Sequence, residues 1–364
     1  MLHGKTVQAS TLERIIGALP VPYAVSAALF ATLFGPPATV VLGLLATGSW
    51  SATVDLYFGG QPPDAVWQQV AAVLVWWLTY FVILGAIRWE RTAVLREDEA
   101  LARVKPSDLG SPPVARYATA LWPAVSVGII LAAVSWPFVG AVVRGLEGAP
   151  YPGLRPLWVA QNLIRLGLFF WGLGTLFWLT TAALLSLAWL GRQPLELMPL
   201  EDDGLLGLRP AGSIALVAAS TYFGIASLLA LQLALAPAIG AFGSSLAVAI
   251  LLGVVLFLAP LWELHRKMVA VKEERQAEVR SRLLELAFAR NAQVEPERGS
   301  DDPGDLKDLL ARATEVLALE AAGRKLDASA TWPFDLDILR RLGAVMLPIV
   351  IALLTELVRQ ALGL

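Results

Sequence analysis

From Pro210 to Trp262 the chain runs for 53 residues without one charged side chain. A helix crosses the roughly 30 Å hydrocarbon core of a bilayer with about 20 apolar residues at about 1.5 Å rise each. The run is therefore too long for one crossing and suits two. Proline and glycine interrupt helices most readily, and they gather at Ala236-Pro237-Ala238-Ile239-Gly240, with Gly243, Ser244 and Ser245 close behind. The pattern predicts a helical hairpin, 211–235 and 241–262, in an integral membrane protein.

Composition points the same way. Of 364 residues 57% are hydrophobic and 16% charged, against about 25% charged in soluble globular chains. A net charge of -2 gives bulk electrostatics no reason to attract nucleic acid. Without cysteine there is no disulfide, thiolate nucleophile or sulfur metal site, and the redox compartment stays open. The first apolar stretch, from Pro20 past Ser49, is longer than a signal-peptide core and lacks a clear small-residue cleavage site, so the N-terminus is expected to be retained.

Taken in order, Ser10-Thr11-Leu12-Glu13 reads as a capping box. Leu12, Ile15, Ile16 and Leu19 then fall on one face, which predicts an N-terminal amphipathic helix over 10–19 on the membrane surface. The uncharged stretch near 21–50 is broken at Gly35-Pro36-Pro37. Each half is too short to cross, so one kinked span is expected, with a re-entrant hairpin as the alternative. Further spans are expected near 67–87, 117–143 (interrupted by Pro123 and Pro137) and 157–190. The hairpin supplies the fifth and sixth.

After Pro260 the sequence becomes densely charged yet keeps Met268, Val271, Val279, Leu283 and Leu286. The sixth helix is expected to continue as a cytosolic stalk of roughly 40 Å, with a linker at 294–304. An amphipathic helix over 305–325 should fold back on the stalk or on a neighbouring subunit. The apolar run Leu342–Thr355, continued to Arg359, is read as a seventh crossing or as a re-entrant or surface helix. The expected fold is thus all-α, a polytopic transmembrane bundle of six spans and a seventh. Its parts are a membrane domain over 1–262, a cytosolic helical stalk and hairpin over 263–330, and a C-terminal membrane helix over 331–364.

Lys and Arg set the orientation. With the N-terminus inside, inner segments hold 24 of the 28 and outer loops two, Arg144 and Arg155. Basic residues favour the cytoplasmic side, so a multi-pass cell-membrane protein with a cytoplasmic N-terminus is expected.

No metalloprotease helix, phosphate loop, dinucleotide fingerprint or paired-cysteine site is present, so neither catalysis nor a cofactor or metal is expected. Of the two histidines, His265 follows a membrane exit beside Arg266 and Lys267, where a headgroup contact is expected. Arg165 is the clear intramembrane charge, with Gln161 one turn before it. Such a charge marks a pathway or site, or else snorkels to the headgroups. Glu201, Asp202 and Asp203 form an acidic cluster before the fifth span. They are either ligands for a hard divalent cation or a regulatory charge, or solvated acids favourable at that helix's N-terminus.

The stretch Glu201-Asp202-Asp203-Gly204-Leu205-Leu206-Gly207-Leu208-Arg209-Pro210 resembles the Asp-Gly-rich segment of a loosely defined group of uncharacterised prokaryotic polytopic membrane proteins. Trp332-Pro333-Phe334-Asp335 is similar to the lead into their last helix. Here Glu201-Asp202 stands where the pattern has His-Pro. The resemblance implies kinship and no activity; from the residues alone, Trp332-Pro333 reads as an aromatic interface anchor with a helix-starting proline.

Three functions fit. The first is an oligomeric ion channel or pore, with the lipid bilayer, ions and further copies of itself as partners and the cytosolic helices as an assembly or gating element. The second is a non-conducting membrane scaffold or sensor whose cytosolic helices dock a partner. A secondary transporter is third, because paired broken helices are not evident.

Overall fold

A computed structural model describes residues 9–53, 63–101, 104, 114, 117–135, 155–195, 205–235, 242–293, 303–328, 331–333 and 336–362. Among these all regular structure is helical: α1 (Thr11–Gly17), α2 (Tyr23–Phe34), α3 (Pro37–Thr47), α4 (Pro63–Leu101), α5 (Leu121–Val134), α6 (Arg155–Arg192), α7 (Arg209–Leu235), α8 (Phe242–Gln293), α9 (Pro303–Ala328) and α10 (Leu336–Leu362). Three stretches, Val66–Leu101, Pro156–Arg192 and Arg209–Gln232, are long and apolar enough to cross a membrane; Tyr23–Phe34 and Leu121–Val134 are shorter apolar helices. The expected hairpin turn at 236–240, the third span beyond 135 and residues 294–302 of the expected linker lie outside the described residues, while Pro303 and Gly304, expected to end that linker, open α9.

Helices α4, α6 and α7 frame the bundle. α4 packs on α7 and α6, α5 on α6, and α10 along α7, while α8 touches both α6 and α7. Large apolar side chains close this frame in two cores. One gathers Leu190, Leu208, Ile214, Phe223, Leu261 and Leu264; the other gathers Ile16, Tyr80, Ile83, Ile87, Phe169 and Leu173.

The N-terminal helix forms as its capping box dictates. Glu13 N–H donates to Ser10 Oγ (3.2 Å), and Ser10 N–H to Glu13 Oε2 (3.3 Å). Its apolar side, Leu12 and Ile16, is buried against the second core. The Glu13 carboxylate also receives Arg91 of α4, through Nε at 2.9 and 3.1 Å and Nη2 at 2.9 Å. Two forked hydrogen bonds between a carboxylate and a guanidinium fix orientation as well as distance, so α1 is latched to the end of α4.

The interruption at Gly35-Pro36-Pro37 separates α2 from α3. A Cβ on Gly35 would stand 2.1 Å from the Ala31 carbonyl oxygen, so the turn admits glycine only. The α5–α6 crossing has the same cause. A Cβ on Gly128 would meet the Phe170 carbonyl oxygen at 2.5 Å, and one on Gly174 the Ala124 carbonyl oxygen at 2.2 Å. Small residues let two helix backbones touch, which is how apolar helices gain contact where no hydrophobic effect separates them from lipid. Pro123 does not interrupt α5 as expected from the sequence. It stands in the first turn, where the missing N–H has no intrahelical partner to lose.

Helix α8 runs unbroken for 52 residues, with Pro260 inside it, or about 78 Å at 1.5 Å per residue. Its charged half holds α9 within the same chain: Lys272 Nζ donates to the Asp327 carbonyl at 3.1 Å and Gln276 Nε2 to Asp327 Oδ1 at 2.7 Å. Lys267 Nζ ties α8 to the Gln193 carbonyl at the end of α6. Trp332 stacks on His265 with ring centres 4.1 Å apart, and His265 Nδ1 lies 2.7 Å from the Thr331 carbonyl oxygen. The imidazole expected to meet headgroups thus has protein partners. Pro333 precedes α10 by three residues instead of starting it.

Candidate functional site

The local sequence makes α6 the carrier of the site. From Leu157 to Leu190 nothing but Arg165 is charged, and small residues on one side admit α5 while leucine and phenylalanine on another enter the core. Gln161 and Arg165 are one turn apart and so share a face. Eight residues separate Arg165 from Leu157, about 12 Å of helix.

Helix α4 meets them with a polar-aromatic patch. Tyr80 Oη donates to the Arg165 carbonyl at 2.7 Å. Phe169, one turn after Arg165, is held between Trp76 (ring centres 5.1 Å) and Tyr80 (5.2 Å). Helix α7 adds Gln232, 7% exposed. Oriented to satisfy its neighbours, its amide donates to the Ala72 carbonyl at 2.9 Å and accepts from Trp76 Nε1 at 2.6 Å. Gln161 is different: its amide oxygen and nitrogen are both enclosed and neither has a hydrogen-bond partner among the described residues. Arg165 has no carboxylate within ion-pair distance among the described residues.

The acidic cluster expected at Glu201, Asp202 and Asp203 lies outside the described residues. The residues that follow, Leu205, Leu206 and Leu208, are buried with Leu190 in the first core. Leu190 is 25 residues from Arg165 along α6, about 38 Å of helix. Among the described residues no group of three or more His, Asp or Glu is arranged to hold a metal ion.

No family model, curated protein or solved structure matches this chain.

One site residue escaped the sequence reading. Glu90, two residues past the Arg88 that ends the apolar part of α4, is 0% exposed. Thr180 of α6 donates to its Oε2 at 3.1 Å, and its Oε1 has no partner among the described residues. Thr221 of α7 likewise buries a hydroxyl that has no hydrogen-bond partner among the described residues. Among arginines and acids, Glu90 reads as part of a solvated helix. The signal that would have found it is spacing: Ile83, Ile87, Glu90, Val94 and Leu101 recur at three, four and seven residues and so continue one buried face beyond the apolar run. Arg91, its chain neighbour, points to Glu13 instead. The α4–α6–α7 interface thus holds polar groups in two places, Gln161 with Arg165 and Glu90 with Thr180. Thr180 and Arg165 are 15 residues apart on α6, about 23 Å.

Proposed function

We propose that the chain assembles in a cell membrane as an oligomeric ion channel or pore, with Gln161 and Arg165 bordering its pathway and Glu90 at the pathway's cytoplasmic end. One observation carries this reading: among the described residues, an enclosed amide without a hydrogen-bond partner stands one turn from a guanidinium with no carboxylate in ion-pair distance. A buried amide or hydroxyl left unbonded costs roughly 1–3 kcal/mol in a protein, and a charge more. Such groups are stable at bilayer depth where water or a passing ion supplies the missing bonds.

In this reading the N-terminus is cytoplasmic and segments near 21–50, 67–87, 117–143, 157–190, 211–235 and 241–262 cross, with α10 as a seventh. The charged half of α8 and α9 form the cytosolic assembly or gating element, and the acids Glu201, Asp202 and Asp203 act as a cation-binding or regulatory charge. Ion flux from proteoliposomes, measured with the particle's mass in detergent, tests the proposal. Flux from a particle of several chains supports it, and an ion-tight, well-folded oligomer sinks it.

The scaffold or sensor reading has its own support. Leu284 and Phe288 of α8 and Leu310 and Leu317 of α9 are 57, 69, 61 and 62% exposed, an apolar face that a partner protein or a second copy can cover. An ion-tight particle that loses mass when this face is made polar would favour that reading.

A further inference from the structure

Between the charged half of α8 and α9 lies a cleft of about 330 Å³, within the range of small-molecule sites. Its floor is apolar: Leu326 and Leu206, 6 and 4% exposed, meet the half-buried Val271 there. Leu206 holds a left-handed backbone at φ 57°, uncommon for a residue other than glycine, and lines the floor. The rim is basic. Arg275 and Arg282 stand two turns apart on one face of α8, and Lys325 faces them from α9. Among the described residues the lining offers one carboxylate, Glu278, against these three cations. None of the three makes an ion pair with another described residue.

We infer that this cleft binds a soluble nucleotide, its phosphates on Arg275, Arg282 and Lys325 and its base on the apolar floor. The net charge of two positives on these described side chains matches a phosphate dianion. The arginine fork is shaped for phosphate oxygens, and lysine adds a mobile point charge. A separation of seven positions between the arginines, about 10 Å of helix, suits a ligand with more than one phosphate. Both long side chains can reach inward to it. Position selects a soluble source over a lipid. Val271 and Arg282 lie nine and twenty residues beyond Trp262, about 14 and 30 Å along α8, whereas a headgroup layer is about 5–8 Å deep on each side of the hydrocarbon.

The choice of a soluble ligand rests on the proposed membrane exit at Trp262, but the site does not require that the protein conduct ions. Titrating the purified full chain with ADP in a calorimeter tests it, with inorganic phosphate and nanodiscs containing phosphatidic acid as parallel arms. The account expects saturable ADP binding, weaker phosphate binding, and at least a tenfold loss of ADP affinity in Arg275→Ala, Arg282→Ala and Lys325→Ala. All three side chains are exposed, so these variants should keep the wild-type melting temperature. The proposal is overturned by no ADP binding to the wild type, by undiminished binding to Arg275→Ala/Arg282→Ala, or by phosphatidic acid binding without ADP binding.

Discussion

Replacing Glu13 by alanine should release α1 from the bundle while leaving the rest of the fold in place. The Glu13 side chain is 3% exposed and its partner Arg91 17%. Removing one member of a buried pair typically costs about 3–5 kcal/mol when the other charge stays enclosed. Arg91 keeps a path to water and can swing out, so about 2–3 kcal/mol is the better figure here. Loss of the bond to Ser10 N–H adds about 0.5–1 kcal/mol.

The chain's lack of cysteine provides the assay. Ile16 is 0% exposed, so Ile16→Cys reacts with a maleimide only when α1 lifts away. At 1.4 kcal/mol per factor of ten, the sum of about 2.5–4 kcal/mol means that Glu13→Ala should speed labelling by about sixty- to seven-hundredfold. Glu13→Gln, which keeps an acceptor for Ser10, should fall between. Arg91→Ala together with Glu13→Ala should cost less than the two single losses added, because the pair is coupled. Labelling within threefold of the parent in Glu13→Ala would refute the claim that this pair latches α1.

Gly174→Ala and Gly128→Ala should each lower the melting temperature in detergent by an amount corresponding to about 1–3 kcal/mol, through overpacking of the α5–α6 contact. Gly167→Ala, where nothing lies within 4 Å of the new Cβ, should be neutral or stabilising by up to about 1 kcal/mol. A cysteine at Asp55 should label from outside in sealed right-side-out vesicles and one at Glu97 should not; the reverse would invert the orientation. Changing the exposed Leu310 and Leu317 to serine should shift the purified particle to smaller mass, and an unchanged mass would confine assembly to the membrane helices.

What could be read in the sequence was local. The run from Leu157 to Leu190, charged only at Arg165, gives α6 to within two residues at either end, expected at 157–190 and found at Arg155–Arg192. The Ser10–Glu13 spacing and the Gly35-Pro36 break also appear as expected. What escaped is made by partners far apart in the chain. Glu13 and Arg91 are 78 residues apart, and nothing near either names the other. Glu90 looks like one more soluble acid until Thr180 of another helix covers it. Gln161 and Arg165 were legible as a pair because helical spacing alone joins them. The meeting of Arg165 with Tyr80, and of Phe169 with Trp76, depends on how α4 lies against α6, a matter of packing that the linear sequence does not carry.

Reversal potentials of the purified protein in a planar bilayer, under a salt gradient, test the central claim most directly. If Gln161 and Arg165 border the pathway, a permanent cation in a poorly hydrated site is weakly screened and concentrates anions. Loop acids act only from water, over a screening length of about 8 Å. The wild type should therefore prefer anions, and Arg165→Gln should move the reversal potential toward the cation side without changing the melting temperature. A cation-preferring wild type, or an unmoved reversal potential in a well-folded Arg165→Gln protein, would place Arg165 outside any pathway.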